Sequence, residues 1–376
     1  MAQLDGSIVQ IHHRSGLQPI VATGPALAAL TTALAGSARI GLDTEFLRER
    51  TYRAQLCLVQ VATADEAVCI DPLALPDLAP LARVLATDGV LKVMHASRQD
   101  LEVLLPVAGL TRPVFDTQIA ASLTGLPAQV GYAEAVRRFL GQALDKSHTR
   151  TDWSRRPLSA EQIEYARDDV RYLLPLASRL QEELARLGRL EWLAEELATL
   201  ADERALTIAP EDAWLRLKGL RPLDPARERL ARALAAWRER SALEHNRPRG
   251  WILDDAVLRE IVLQVPRTLT ALAAIAGMPA GLVKRRGAEL LECVERAQVP
   301  QPAPPLPGRP RQDPVKTALV KKLSSISQAT ARELNLVPEV LATRRDLEQL
   351  AEGRRDGALL HGWRRAVLGE RLLAAL

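Results

Sequence analysis

The stretch Ala38-Arg39-Ile40-Gly41-Leu42-Asp43-Thr44-Glu45-Phe46 decides how the rest of the chain is read. Ile40, Gly41 and Leu42 form a short apolar run of the kind that makes a buried strand. Alternate residues of a strand share a face, so Asp43 and Glu45 leave its end on the same side. Two carboxylates about 4 Å apart repel by roughly 4 kcal/mol at an effective dielectric of about 20, and a cation between them removes that cost. The spacing suits a divalent metal ion. Taken alone it also suits a strand end that alternates into solvent.

Around this strand the chain alternates extended and helical signals. Residues 19–23 read as extended, 26–34 as helical, 39–46 as the acid-bearing strand, and 55–62 and 67–70 as two more strands. Thr63, Ala64 and Asp65 lie between the last two as a hairpin turn, which makes the sheet mixed rather than all parallel. A helix over 78–86, a strand over 90–94 and a helix over 99–107 follow. Beyond Asp116 the β signal fades into helices over 119–123, 132–140 and 160–187, the last opened by a capping-box pattern of Ser159 and Gln162. Residues 1–200 therefore read as an α/β domain. Residues 210–298 are helical throughout and read as a separate domain. Residues 299–314 are Pro-rich and read as an extended linker. Residues 315–376 are again helical, with Leu334, Val337, Leu341, Leu347 and Leu350 as candidate core.

At 376 residues the chain is long enough for two or three domains with cores of their own. No uncharged apolar run approaches the roughly 18 residues of a membrane span, so no membrane association is expected. The start of the chain carries His12, His13 and Arg14 rather than a basic residue followed by an apolar core, so the expected location is the cytoplasm. Cys57, Cys69 and Cys293 are odd in number and lack Cys-x-x-Cys spacing, so they are expected as small core residues. The net charge of +4 is uneven: residues 1–200 hold 20 basic and 24 acidic side chains, and residues 201–376 hold 30 and 22. That split fits a half that holds cations joined to a half that holds a polyanion, and it also fits ordinary solvated helices.

Other acids stand where the first pair needs partners. Asp100 falls in the first turn of the helix after strand 90–94, a position that the helix dipole alone would also favour. Asp116 reads as the N-cap of the next helix, before Thr117, rather than as a metal ligand. Tyr165 and Asp169 are four apart on a helix and so stand one turn above each other, with Asp168 pointing elsewhere.

In order, Asp43-x-Glu45, Asp100 and Tyr165-x-x-x-Asp169 resemble the three motifs of the DEDD exonuclease superfamily in its tyrosine-bearing branch. The flanks around Gln55 to Val61, Ile70 to Leu73, His95 to Leu104, Phe115 to Gln118 and Tyr165 to Leu174 extend the likeness to the ribonuclease D family over residues 17–200. Trp214 to Gly219, Leu234 to Ala242, Asn246 to Pro248, Asp254 to Leu258 and Pro266 to Gly277 resemble the helicase and RNase D C-terminal (HRDC) domain, a helical nucleic-acid-binding bundle. Residues 315–376 resemble it only in general pattern and are assigned as a second, degenerate HRDC unit.

The resemblance implies an RNase H-like α/β exonuclease domain followed by one or two all-α HRDC bundles. It implies a hydrolase that removes nucleotides from RNA in the 3′→5′ direction, with precursors of tRNA as substrate and nucleoside 5′-monophosphates as product. Asp43, Glu45, Asp100 and Asp169 would hold two Mg²⁺ or Mn²⁺ ions about 3.5–4 Å apart, one for the attacking water and one for the leaving 3′-oxygen. Tyr165 would orient the water. Thr44, Phe46 and His95 would line the pocket of the terminal nucleotide, although His95 reads equally as a hydrogen-bonded structural histidine. Lys284, Arg285 and Arg286, with Arg247 and Arg249, would face phosphates, or simply solvent. The partner expected is RNA with a free 3′ end, with no obligate protein partner. An exodeoxyribonuclease is the rival, since four acids do not distinguish ribose from deoxyribose. A non-catalytic RNA-binding adaptor is the second alternative, and the intact motifs speak against it.

Overall fold

The structure, a computed structural model, describes residues 20–144, 151–200, 206–207, 209–217, 219–220, 223–299 and 314–376. The residues expected as the Pro-rich linker lie almost wholly outside these, as do His12, His13 and Arg14. Six strands alternate with helices in the first half: β1 (Ile20–Val21), α1 (Gly24–Ala35), β2 (Arg39–Leu47), β3 (Gln55–Ala62), β4 (Ala67–Ile70), α2 (Ala79–Ala86), β5 (Leu91–Met94), α3 (Arg98–Ala108) and β6 (Val114–Asp116). The helices α4 (Thr117–Ser122), α5 (Tyr132–Leu140), α6 (Ala160–Arg171), α7 (Leu173–Arg186) and α8 (Leu190–Ala198) complete it. The strands form one sheet in the order β1-β4-β3-β2-β5-β6. β2 pairs parallel with β5 and β5 with β6, whereas β3 pairs antiparallel with β4, so the sheet is mixed.

Local chemistry explains most of these elements. The β3–β4 hairpin closes on Thr63, whose amide donates to Glu66 O at 2.9 Å and whose Oγ1 accepts from the amides of Asp65 and Glu66. Ser159 and Gln162 form the expected capping box at the start of α6. Two features differ from the sequence reading. β6 is a strand of only three residues in a stretch to which the sequence assigns no element, and pairing with β5 defines it. The single helix expected over 160–187 is broken at Tyr172, because the Tyr132 hydroxyl enters the helical ladder. It donates to Asp168 O at 3.3 Å and accepts from the Tyr172 amide at 3.1 Å, the pair that would otherwise bond each other.

By contacts the chain divides into two compact units. The first comprises Met1–Leu47, Leu56–Leu206 and Gln312–Leu376, and the second Arg48–Gln55 and Thr207–Arg311. In the first unit α6 and α7 lie close on β2. A Cβ at Gly41 would come within 3.1 Å of Val170 O and 3.2 Å of Ala62 Cβ, which is why a glycine occupies the middle of this strand. Helix α14 (Pro314–Glu333) and the short helices after it belong to this unit, and Leu323, Leu341, Leu347 and Leu368 share one buried core with Val93, Phe115, Val170 and Leu176. Residues 315–376, set apart in the sequence as a unit beyond the linker, thus close the core of the α/β domain.

The second unit has its own core. It is built from α9 (Pro225–Glu244), α10 (Arg249–Ile252), α11 (Asp255–Gln264), α12 (Leu269–Ala273) and α13 (Ala280–Gln298) around Leu230, Leu234, Leu258, Ile261 and Leu290. Residues 210–216, at the start of the stretch read as helical throughout, enter as a 3-10 helix. Asp224, Asp254 and Thr268 cap α9, α11 and α12 through their side chains. The segment Arg48–Gln55, which the sequence reading leaves with the α/β domain, packs in this unit: the Tyr52 hydroxyl donates to Glu239 Oε1, and the Arg249 guanidinium lies 5.6 Å from the Tyr52 ring centre.

Candidate active site

The site is assembled from the second half of β2, which runs on past both acids to Leu47 rather than ending at them, the first turn of α3 and the last turns of α6. β2 delivers Asp43 and Glu45 on one face, both half-buried. Asp100 enters from the first turn of α3 and is 7% exposed, with its Oδ1 accepting a 2.5 Å hydrogen bond from Thr44 Oγ1. Asp169 and Tyr165 come from α6, one turn apart.

The approach of α3 is set by a carboxylate that is not itself a candidate ligand. Asp116 caps α4 by accepting from the amides of Gln118 and Ile119, and the same carboxylate accepts from Ala96 N, Ser97 N and Ser97 Oγ at 3.2, 2.7 and 2.8 Å. Five donors on one buried group fix the turn between β5 and α3, in which Ala96 takes the left-handed conformation at φ 54°. Asp116 is therefore the N-cap read from the sequence, with a second task in placing Asp100.

The charges of Asp100 and Asp169 bear on both Asp43 and Glu45. Burial, followed by the charges of Asp100, Asp169 and Glu45, pushes Asp43 well above the usual carboxylate range. Burial and then Asp169 and Asp100 push Glu45 to about 8. Burial raises Asp169 to about 7, aided by Asp168, and raises Asp100 to about 6 against the opposing hydrogen bond from Thr44. Among the described residues no Lys or Arg forms an ion pair with any of the four. Nor, among the described residues, do three or more His, Cys, Asp or Glu side chains stand in ligating geometry. The carboxylates repel one another without standing in ligating geometry, and carboxylate oxygens are the kind of donor that suits hard divalent cations.

Tyr165 is held by its neighbours. Its ring stacks on Trp153 at 6.2 Å between centres and 29° between planes, within a cluster that includes Cys57, Leu58, Cys69 and Leu158. Trp153, 4% exposed, is anchored through Arg156: Nη1 donates to Trp153 O at 2.8 Å, and Nε and Nη2 form a bidentate pair with Asp71 at 2.6 and 2.8 Å. Burial, then Asp169, Glu45 and Asp43, raises the phenol above its ordinary value, so it remains protonated.

The expected pocket and surface residues separate. Thr44 serves Asp100 directly, and Phe46 is half-buried beside the acids in sequence. His95 has both ring nitrogens committed, Nδ1 to Thr117 Oγ1 at 2.8 Å and Nε2 to Val130 O at 2.9 Å, which is the structural alternative weighed for it. On α13, Lys284 and Arg285 are exposed, whereas Arg286 is tied to Glu289 at 2.6 Å and lies over Trp237. Arg247 is exposed, and Arg249 faces Glu239 and Tyr52. Trp153, Arg156 and Asp71 escaped the sequence reading as supports of Tyr165. The cluster of Trp153 with two arginines shortly before α6 was the available signal. A cavity of about 540 Å³ lies elsewhere, lined by Arg39, Thr63, Arg171 and Ser178 among others, and none of the four acids lines it.

Comparison with known proteins places the chain in a family. Residues 19–185 match the family model of the 3′-5′ exonuclease domain, and residues 227–294 match the HRDC domain. The chain is 43% identical to the ribonuclease D of Gluconacetobacter diazotrophicus, over 89% of this chain and 86% of that one. It is 42% identical to the ribonuclease D of Jannaschia sp., over 95% and 94%. The chain belongs to the ribonuclease D family. The crystal structure of Escherichia coli RNase D, described as an exoribonuclease involved in structured RNA processing, superposes with a TM-score of 0.86 at 34% identity, covering 96% of this chain and 99% of that one. As a ribonuclease D family member, the protein is a 3′→5′ exoribonuclease that acts on RNA and depends on divalent metal. The matched exonuclease segment contains all four acids and Tyr165. No helix among the described residues is long and apolar enough to cross a membrane.

Proposed function

We propose that Asp43, Glu45, Asp100 and Asp169 hold two divalent ions, Mg²⁺ or Mn²⁺, and that the enzyme trims the 3′ ends of tRNA precursors in the cytoplasm, releasing nucleoside 5′-monophosphates. The observation that carries this reading is that the charges of Asp100 and Asp169 act on both Asp43 and Glu45 in a family member, four carboxylates whose charge two divalent cations would balance. When bound, such ions supply a nucleophilic water at neutral pH and neutralise charge on the leaving oxygen. The protein's part is placement. Thr44 holds Asp100 by its hydroxyl. Tyr165, protonated and stacked on Trp153, offers a neutral phenol that orients water rather than accepting its proton. The exposed cations Lys284, Arg285 and Arg247 of the second unit meet RNA phosphates, which position a strand without reading its sequence.

Competition between a tRNA precursor with a 3′ extension, an unstructured RNA and a DNA strand of the same sequence tests this reading. The expected result is preferential trimming of the precursor, with nucleoside 5′-monophosphates as the only chromatographic product. Faster loss of DNA, or products bearing 3′-phosphate, would overturn it.

A further inference from the structure

One buried side chain near the acids has no partner. Gln60, in the middle of β3, is 0% exposed, and among the described residues neither its Nε2 nor its Oε1 makes a hydrogen bond. A buried amide left unsatisfied is costly and calls for an explanation, of which a functional role is one.

The position of Gln60 supplies that explanation. It pairs with Cys69 across the β3–β4 ladder, and paired residues point to the same face. Cys69 Sγ contacts Ile163 O of α6 at 4.0 Å, so Gln60 lies on the face covered by α6, the helix that carries Tyr165 and Asp169. The other neighbour of β3 is β2. Only residues 48–54 connect the two strands, too few for the crossover that parallel neighbours need, so they run antiparallel. Gly41 and Ala62 face each other across this pair. Stepping two residues along each strand brings Asp43 opposite Gln60 on that same face. The orphaned amide thus belongs to the floor of the site, between Cys69 and the first catalytic acid.

We propose that Gln60 is a positioning residue of the metal centre, its side-chain Nε2 donating to the Asp43 carboxylate and fixing that carboxylate in the orientation that binds the cation. Its oxygen then accepts from water. The proposal rests on the reading of Asp43 as a metal ligand. Groups that orient a metal ligand by hydrogen bonding change affinity by about 10- to 100-fold when lost.

The test is Mn²⁺ binding to the full-length protein without RNA, measured by titration calorimetry, for wild type, Gln60→Met, Gln60→Asn, Asp43→Asn and the double variant Gln60→Met/Asp43→Asn. Gln60→Met keeps the volume and removes both polar atoms, so the metal-free protein should melt no lower than wild type. It should bind Mn²⁺ about 10- to 100-fold more weakly. Gln60→Asn keeps the amide but withdraws it from Asp43, so it should show the same loss and serves if the methionine variant does not fold. In the Asp43→Asn background the Gln60 change should have no further effect. Wild-type affinity in the Gln60 variants, with affinity lost in Asp43→Asn, would overturn this proposal alone. Wild-type affinity in Asp43→Asn would overturn both it and the metal-site reading.

Discussion

Two stretches of helix, Pro225–Gln298 and Pro314–Leu376, look alike in sequence and do opposite things in the fold. The first closes on itself: Trp237 donates Nε1 to Glu289 at 2.8 Å beneath Arg286, and Arg238 reaches Leu253 O and Asp255 within the same helices. The second has no core apart from the nuclease. Trp363 stacks on Trp192 of α8 at 4.4 Å and donates to Glu196, while Arg189 donates to Leu123 O at 2.7 Å and to Leu334 O. Helical periodicity reports that one face of a helix is apolar, and it does not report which surface that face covers.

The largest test of this contrast is deletion. A chain ending before residue 314 should lose the cooperative fold of the nuclease, because Leu323, Leu341 and Leu368 fill the nuclease core. Excision of residues 225–298 should leave metal-dependent cleavage of short RNA measurable. Circular dichroism and a cleavage assay read both outcomes, and the reverse result would break the comparison. Next in size, Trp363→Ala should destabilise the nuclease transition in a denaturation scan by about 3–5 kcal/mol. Trp237→Ala should lower the melting of the second unit and spare that transition.

A smaller effect is expected at Gly125, where φ is +104° and a Cβ would lie 2.5 Å from Asn335 O, at the contact of the C-terminal stretch with the residues after α4. Gly125→Ala should cost about 1–3 kcal/mol in the same scan.

The smallest effect concerns protons. Glu45 and Asp169, raised to about 8 and 7, retain protons in the metal-free fold that the unfolded chain has released above pH about 4. Stability in EDTA should therefore fall as pH rises from about 4 to 8. Asp43→Asn, which removes one repelling charge, should raise the melting temperature in EDTA at pH 8 by about 2–4 °C. The gain should vanish near pH 4.

Much of this was legible in the sequence, for identifiable reasons. β3, β4 and α5 fall where alternation and helical spacing place them, since each is bounded by turn residues or a glycine. The four acids could be proposed from the order and flanks of the motifs taken together, since each position alone has an ordinary structural explanation. β6 was not, because pairing with β5 makes three residues a strand. The break at Tyr172 was not, because it depends on a hydroxyl 40 residues away in sequence. The support of Tyr165 by Trp153, Arg156 and Asp71, and the burial of Gln60 beside Asp43, are likewise tertiary facts without a local signature.

Whether Asp43, Glu45, Asp100 and Asp169 form one cation-binding catalytic centre is tested most simply by RNA cleavage. A 5′-end-labelled RNA incubated with the wild-type protein in Mg²⁺ should shorten stepwise from its 3′ end, stop on addition of EDTA, and remain intact with Asp43→Ala or Asp169→Ala. Full activity in either alanine variant, or shortening that persists in EDTA, would contradict it.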